Sequence, residues 1–421
     1  MVKKETIKAL LFAGSTATFG YIARQHMLQQ LEGVGPHLYA TCQAQPLIFT
    51  HNGPVDRILC ILVIFFQRAM DDYMGLQVTR VLLGLFGTVQ AIMAVEGSRN
   101  GYAWYHVVSW FMFWGMLANM FTIAVVTSLV WVPLYVLTSR FFVSRTISRD
   151  SDGMDDSAVP VMISPARSGA ILLSLLLAFG VPSLLMTTSS VIERGSWLSL
   201  QVIALWQFCP ILIQLTYTVL TWALTPLLRD DRVMPVAAGI RDTATVSTVE
   251  TTSTSTSSST TTRITKETDS VIVTDPMDDV NQQRQRVRMA QSKAGVEQLY
   301  LIMAVINALI YYGTFLQTQL DGVHLRESLI LLATNTIPVA GLRAIEVAQF
   351  KSAYFLFLDL AVLTTTFSFW ALYEDGLIVF VILLAGILSI GPGSAIAVYA
   401  LYRENRIQDP NLLKLRAKKT S

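Results

Sequence analysis

Few side chains in this sequence could do chemistry, and the two that stand out are ionisable groups set inside apolar runs. Asp359 lies in YFLFLDLAVLTTT and Arg80 in LQVTRVLLG. A charge inside hydrocarbon is costly, so each calls for a partner or a task. Asp359 is the candidate catalytic acid. A carboxyl in apolar surroundings keeps its proton and can deliver it to an epoxide or alkene, starting a cyclisation whose carbocation aromatic rings would shield. Arg80 is the candidate buried charge partner. The plainer arrangement is that the two neutralise each other, or that each reaches the interface by snorkelling. Asp71, Asp72, Glu96, His106 and Glu346 stand at the ends of apolar runs, where solvated roles are expected.

Other chemistries lack their residues. The sequence has no P-loop, GxSxG, HExxH, dinucleotide fingerprint or paired Asp-rich prenyltransferase motif, which disfavours ATP-driven transport, hydrolysis, redox catalysis and aromatic prenyl transfer. His26, His37 and His51 are too far apart, and too poor in neighbouring acids, to predict a zinc site; no metal and no cofactor is expected. Asp150, Asp152, Asp155 and Asp156 sit in a serine-flanked polar loop and read as solvated. Three cysteines are too few and scattered for a disulfide framework; Cys60 and Cys209, in apolar runs, read as small core residues.

The elements that must position Asp359 are membrane helices. With 52% hydrophobic and 14% charged residues, the chain reads as an all-α polytopic integral membrane protein whose main partner is the lipid bilayer. A net charge of +2, spread over several loops, points to no nucleic acid. The stretch Trp104 to Arg140 carries no acid or base between His106 and Arg140 and reads as the central span. Its roughly 36 residues would reach about 54 Å against a bilayer core of about 30 Å, so a bend is expected, with Pro133 offering it and Asn119 near mid-bilayer.

Further apolar runs are Ala9 to Ala23, taken as a retained first span, Arg57 to Phe66, Met74 to Val95, Ser168 to Met186, Trp197 to Leu224, Gln298 to Leu316, Ser328 to Leu342, Ala353 to Tyr373 and Leu377 to Tyr402. Residues 26–54 read as a loop. If the weak run Ser328 to Leu342 crosses, both termini and the loops at 140–167, 226–296 and 343–352 share the basic, cytosolic side. About ten crossings are therefore expected, with nine as the alternative. The organisation is a first membrane part (1–225, about six helices), a disordered Ser/Thr-rich cytosolic loop (226–296), a second membrane part (297–402, about four helices) and a basic cytosolic tail (403–421). Lys418 and Lys419, fourth and third from the end, resemble a dilysine retrieval signal, which would hold the protein in the endoplasmic reticulum.

The segments PLIFTHNGPVDRILCILVIFF (46–66), WGMLANMFTIAVV and VPLY (114–135), LLLAFGVPSLLM (175–186) and LWQFCPILI (205–213) carry a resemblance. Together they resemble the fungal multi-span membrane proteins encoded in secondary-metabolite clusters, of the type found in indole-diterpene pathways such as paxilline and aflatrem. The resemblance implies a pathway more than a reaction, with a lipophilic terpenoid intermediate and other pathway enzymes as partners. Three functions stay open: a cyclase-like enzyme or an accessory to one, a transporter of a lipophilic metabolite, and a non-catalytic scaffold for pathway enzymes.

Overall fold

Leu, Ile, Val, Ala and Phe fill the helical runs, and turn residues and left-handed backbone positions end them. The computed structural model describes residues 4–100, 105–138, 162–227, 276–335 and 343–408, and every regular element among them is helical. These are α1 (Lys4–Ala44), α2 (Gly53–Asp71), α3 (Tyr73–Gly97), α4 (Phe111–Phe121), α5 (Ile123–Thr138), α6 (Pro165–Thr187), α7 (Trp197–Trp206), α8 (Cys209–Leu227), α9 (Pro276–Leu320), α10 (Leu325–Thr334), α11 (Ala344–Asp375), α12 (Leu377–Ile390) and α13 (Pro392–Ile407). Among the described residues, four helices are long and apolar enough to cross a membrane: α3, α6, α9 from Val287, and α11. The pair α7–α8, bent by 67°, makes a fifth if taken as one span.

Side-chain pairings show which end of the bundle each helix reaches. At one end Phe12 of α1 stacks on Tyr373 of α11, Arg403 of α13 bonds Glu96 of α3, and Lys293 of α9 bonds Asn405. At the other end Cys42 of α1 is bridged to Cys60 of α2, the Tyr73 hydroxyl donates to Asp321 after α9, and Lys351 of α11 donates to Asn335 after α10. So α1, α3, α9 and α11 each run from the Glu96 end to the Cys42 end or back. Helix α6 runs beside them, from the Met162 carbonyl, which accepts from Asn100 N–H, to the Thr187 carbonyl, which accepts from Arg80.

Two stretches expected to cross do not. The described part of the stretch Trp104 to Arg140, residues 105–138, folds back on itself: α4 enters from the Glu96 end, the chain turns at Thr122, and α5 returns until Tyr135 reaches Glu96. The bend is therefore at Thr122, not Pro133. Pro133 is accommodated by the π-helical turn Thr127–Trp131 just before it, and Pro182 likewise follows the π turn Leu176–Gly180; the wider turn relieves the ring's clash with the preceding carbonyls.

The run Leu377 to Tyr402 is the second hairpin. It leaves α11 at Asp375, turns at Gly391 and returns so that Tyr399 bonds Asp375 at 2.9 Å. Gly391 has φ +87°, and a Cβ there would meet the Tyr311 ring at 2.6 Å, so glycine is required on both counts. Backbone carbonyls freed at this tip need donors where lipid covers them, and the Tyr311 and Tyr312 hydroxyls supply them to Leu388 and Ser389 at 3.2 and 2.8 Å.

Other expectations also change. The described part of Ser328 to Leu342 does not cross, because α10 ends beside Lys351 at the Cys42 end, and residues 336–342 lie outside the described residues. The start of α11 at 343–352 therefore lies away from the Glu96 end. Residues 26–44 continue α1 through Pro36 instead of forming a loop. Helix α9 begins at Pro276, inside the segment expected to be disordered. Most of that segment, at 228–275, lies outside the described residues, as do Asp150, Asp152, Asp155, Asp156, Lys418 and Lys419.

Cys60 is not a free core thiol. It is bonded to Cys42 across 18 residues, tying α1 to α2, while Cys209 is free and buried. Denatured, unreduced protein is accordingly expected to take up one maleimide-polyethylene glycol on a gel and reduced protein three. Three additions without reductant would break this assignment.

Candidate functional site

The break at Thr122 builds the site. Thr122 has φ 71° and ψ 145°, a combination open to glycine but strained for a β-branched residue, at a cost on the order of 1–3 kcal/mol. The turn points the first N–H groups of α5 into the protein, and that of Ala124 donates to Asp359 Oδ1 at 3.0 Å. The Thr122 hydroxyl lies against the same carboxyl. Asp359, only 5% exposed, thus sits at a helix N-terminus, where partial positive charge favours a carboxyl oxygen. Such strain beside a buried acid is typical of sites whose geometry matters to function.

Asp359 lines a cavity of about 310 Å³. Its walls come from α1, α2, α3, the α4–α5 turn, Trp206 and α11, with Phe65, Phe66, Phe86, Trp206 and Phe355 among them. These rings brace one another edge to face: Phe65 on Phe355 at 5.2 Å, Phe66 on Trp206 at 5.3 Å, and Phe86 on Phe179 at 5.4 Å. The Trp206 indole N–H donates to Ser183 Oγ at 2.9 Å, which fixes its plane. Asn119, on the rim, donates to the Gln207 carbonyl at 2.8 Å, satisfying a backbone group freed where α7 breaks from α8. The arrangement offers one acid, a dry aromatic wall and room for a compact lipophilic molecule.

Arg80 is not the partner of Asp359. Its guanidinium donates to Gln77, Gln317 and the Thr187 carbonyl, so it is held by neutral acceptors and ties α3 to α6 and α9. The base that shares the cavity lining with Asp359 is Arg24 of α1. In the sequence it falls just beyond the apolar run Ala9 to Ala23, and the continuation of that run as helix was the signal that could have placed it beside the cavity.

The sequence also hid a charge network. Glu96, expected to be solvated at a helix end, is 1% exposed. It receives Arg99 through two bonds of 2.8 Å, Arg403 Nη1 at 2.7 Å and the Tyr135 hydroxyl at 2.9 Å. Arg99 continues to Glu404 at 2.7 Å, and Arg403 to Glu374 at 2.8 Å. Burial alone would lower the Arg99 pKa, but the carboxylates of Glu404 and Glu96 drive it well above its ordinary value. The network locks α3, α5, α11 and α13, and with them both hairpins, at one end of the bundle. Among the described residues no cluster of His, Cys, Asp and Glu could hold a metal ion.

Comparison with curated proteins and with solved structures finds no match. The profile of the CtvD domain family matches residues 18–379, most of the chain, and the protein belongs to that family.

Proposed function

We propose that the cavity is the active site of a membrane enzyme of fungal secondary metabolism, in which Asp359 protonates a lipophilic, terpenoid-like substrate and starts its ring closure or opening. The observation that carries this reading is the placement of the acid: one buried carboxyl, without an ion-pair partner among the described residues, in the lining of an apolar aromatic cavity. The CtvD match supports a role in secondary-metabolite biosynthesis. The indole-diterpene assignment is the narrower part of this proposal. In such an enzyme the Phe and Trp faces shield the cation formed on protonation, and the dry cavity keeps it from capture by solvent. The test is metabolite profiling of a host whose gene carries Asp359→Asn.

A transporter is the second reading, favoured by the broken helices that meet inside the bundle. It differs in outcome. A transport-defective variant still makes the product and retains it in the cell, whereas a catalytic variant accumulates the precursor.

Orientation follows from the disulfide. Disulfides persist in oxidising compartments, so we propose that the Cys42–Cys60 end faces the lumen of the endoplasmic reticulum and the Glu96 end faces the cytosol. Residues 139–161 and 228–275 are flanked by helix ends on the Glu96 side, as the positive-inside rule requires of their Lys and Arg. A reporter after Ser421 and one near Ser258 are expected to read cytosolic, and one near His37 lumenal. Opposite sides for the first two would rule this orientation out.

A further inference from the structure

Only two ionisable side chains line the apolar cavity, Asp359 and Arg24, and neither makes an ion pair among the described residues. Their separation in role follows from α1. Gly20 packs so closely on Ser128 and Leu129 that a Cβ would meet them at 2.5 to 2.9 Å, and the Thr122 hydroxyl reaches Met27 Sδ at 3.6 Å. Arg24 lies between these two fixed levels, beside the α4–α5 turn. Gln30, which accepts from Lys351 at 3.2 Å, lies roughly 9 Å beyond Arg24 along α1 at 1.5 Å per residue, and Cys42 about 18 Å beyond that. Arg24 is thus an exposed side chain of α1 that also lines the hydrophobic cavity, and among the described residues no acid claims its five donors.

We infer that the cavity takes an amphipathic ligand whose carboxylate or other oxyanion head docks on Arg24 while its apolar body fills the space towards Asp359. A guanidinium binds a planar oxyanion through two parallel bonds, which fixes orientation as well as affinity. Asp359 and Arg24 then act on different parts of one molecule: the arginine sets its register, and the acid meets a point along its apolar body. The Phe65, Phe86 and Phe355 rings define the path between them. This deepens the reading of the cavity as the substrate site, and it can be tested by binding without any turnover.

The full-length protein in phosphatidylcholine nanodiscs would be irradiated with a diazirine-bearing palmitic acid or with its methyl ester, and label counted on the peptides that carry Phe65 and Trp206. The acid is expected to label these peptides about tenfold more than the ester, as one charge-assisted pair is worth. That ratio should fall towards one in Arg24→Gln, recover partly in Arg24→Lys and persist in Asp359→Asn. Added phosphatidylglycerol distinguishes the two sources of the oxyanion: if it suppresses labelling, a membrane lipid head occupies Arg24, and if labelling persists, a free acid does. Equal labelling by acid and ester in the wild type, or a ratio unchanged in Arg24→Gln, would overturn the inference. The second result would mean that Arg24 merely reaches the bilayer surface. Loss of product in Asp359→Asn with no acid preference would retain the catalytic reading and discard this one.

Discussion

A host carrying Asp359→Asn is expected to lose its product by about 10²–10⁴-fold, the usual share of a general acid, while the protein remains in the membrane at the wild-type level. The reason for unchanged abundance is local. The hydrogen bond seen at Asp359 is accepted from the Ala124 N–H, and an asparagine oxygen accepts the same bond with the same side-chain shape. What asparagine cannot do is give up a proton. Arg80→Gln is expected to leave the Asp359 site untouched, because Arg80 is bound to Gln77, Gln317 and Thr187 and forms no pair with the acid. Asp359→Glu, which moves the carboxyl by one methylene past the α5 N-terminus, should keep a fraction of the activity. Normal product from Asp359→Asn at matched protein level would exclude Asp359 as the proton donor and return the cavity to a transport or scaffold role.

Arg403→Met is expected to destabilise the protein by roughly 3 kcal/mol, the low end of the cost of breaking a buried ion pair, because Glu96 keeps Arg99 and Glu374 keeps Arg406. Total stabilities of about 5–15 kcal/mol make that a large fraction, so abundance in the membrane should fall several-fold and detergent-solubilised protein should melt well below the wild type. Arg403 bonds Glu96 at 2.7 Å, Glu374 at 2.8 Å and the Tyr135 hydroxyl at 2.6 Å, and lies over the Trp370 ring at 5.1 Å. No lysine rotamer reproduces those three directions, so Arg403→Lys should rescue little. Neutralising the acid that then keeps only Arg406, with Glu374→Gln in the Arg403→Met background, should recover part of the loss. A single Arg403→Met protein that melts within about 2 °C of the wild type would show that the network contributes little, as some buried ion pairs do.

What the sequence by itself determined was the solvent of this protein and the existence of its helices. Long apolar runs near Tyr73–Gly97, Pro165–Thr187 and Ala344–Asp375 must leave water whatever surrounds them, so composition alone places them to within a few residues, except that the last helix starts nine residues before the expected Ala353. Asp359 was legible for the same reason: a carboxyl in a run of Phe and Leu is conspicuous without any partner being known. The tertiary structure decided which apolar runs cross and which turn back. Phe111–Phe121 and Leu377–Ile390 are as hydrophobic as true spans. Whether such a helix ends at mid-depth depends on donors from elsewhere for its freed backbone groups, here Tyr311 and Tyr312 at the Gly391 turn and, for the carbonyl of Gln207, Asn119. The partners of the charges were decided at the same level. Glu96 meets Arg403 across 307 positions of sequence and Cys42 meets Cys60 across 18, pairings that no local pattern encodes because they arise only when separate helices are brought to the same end of the bundle.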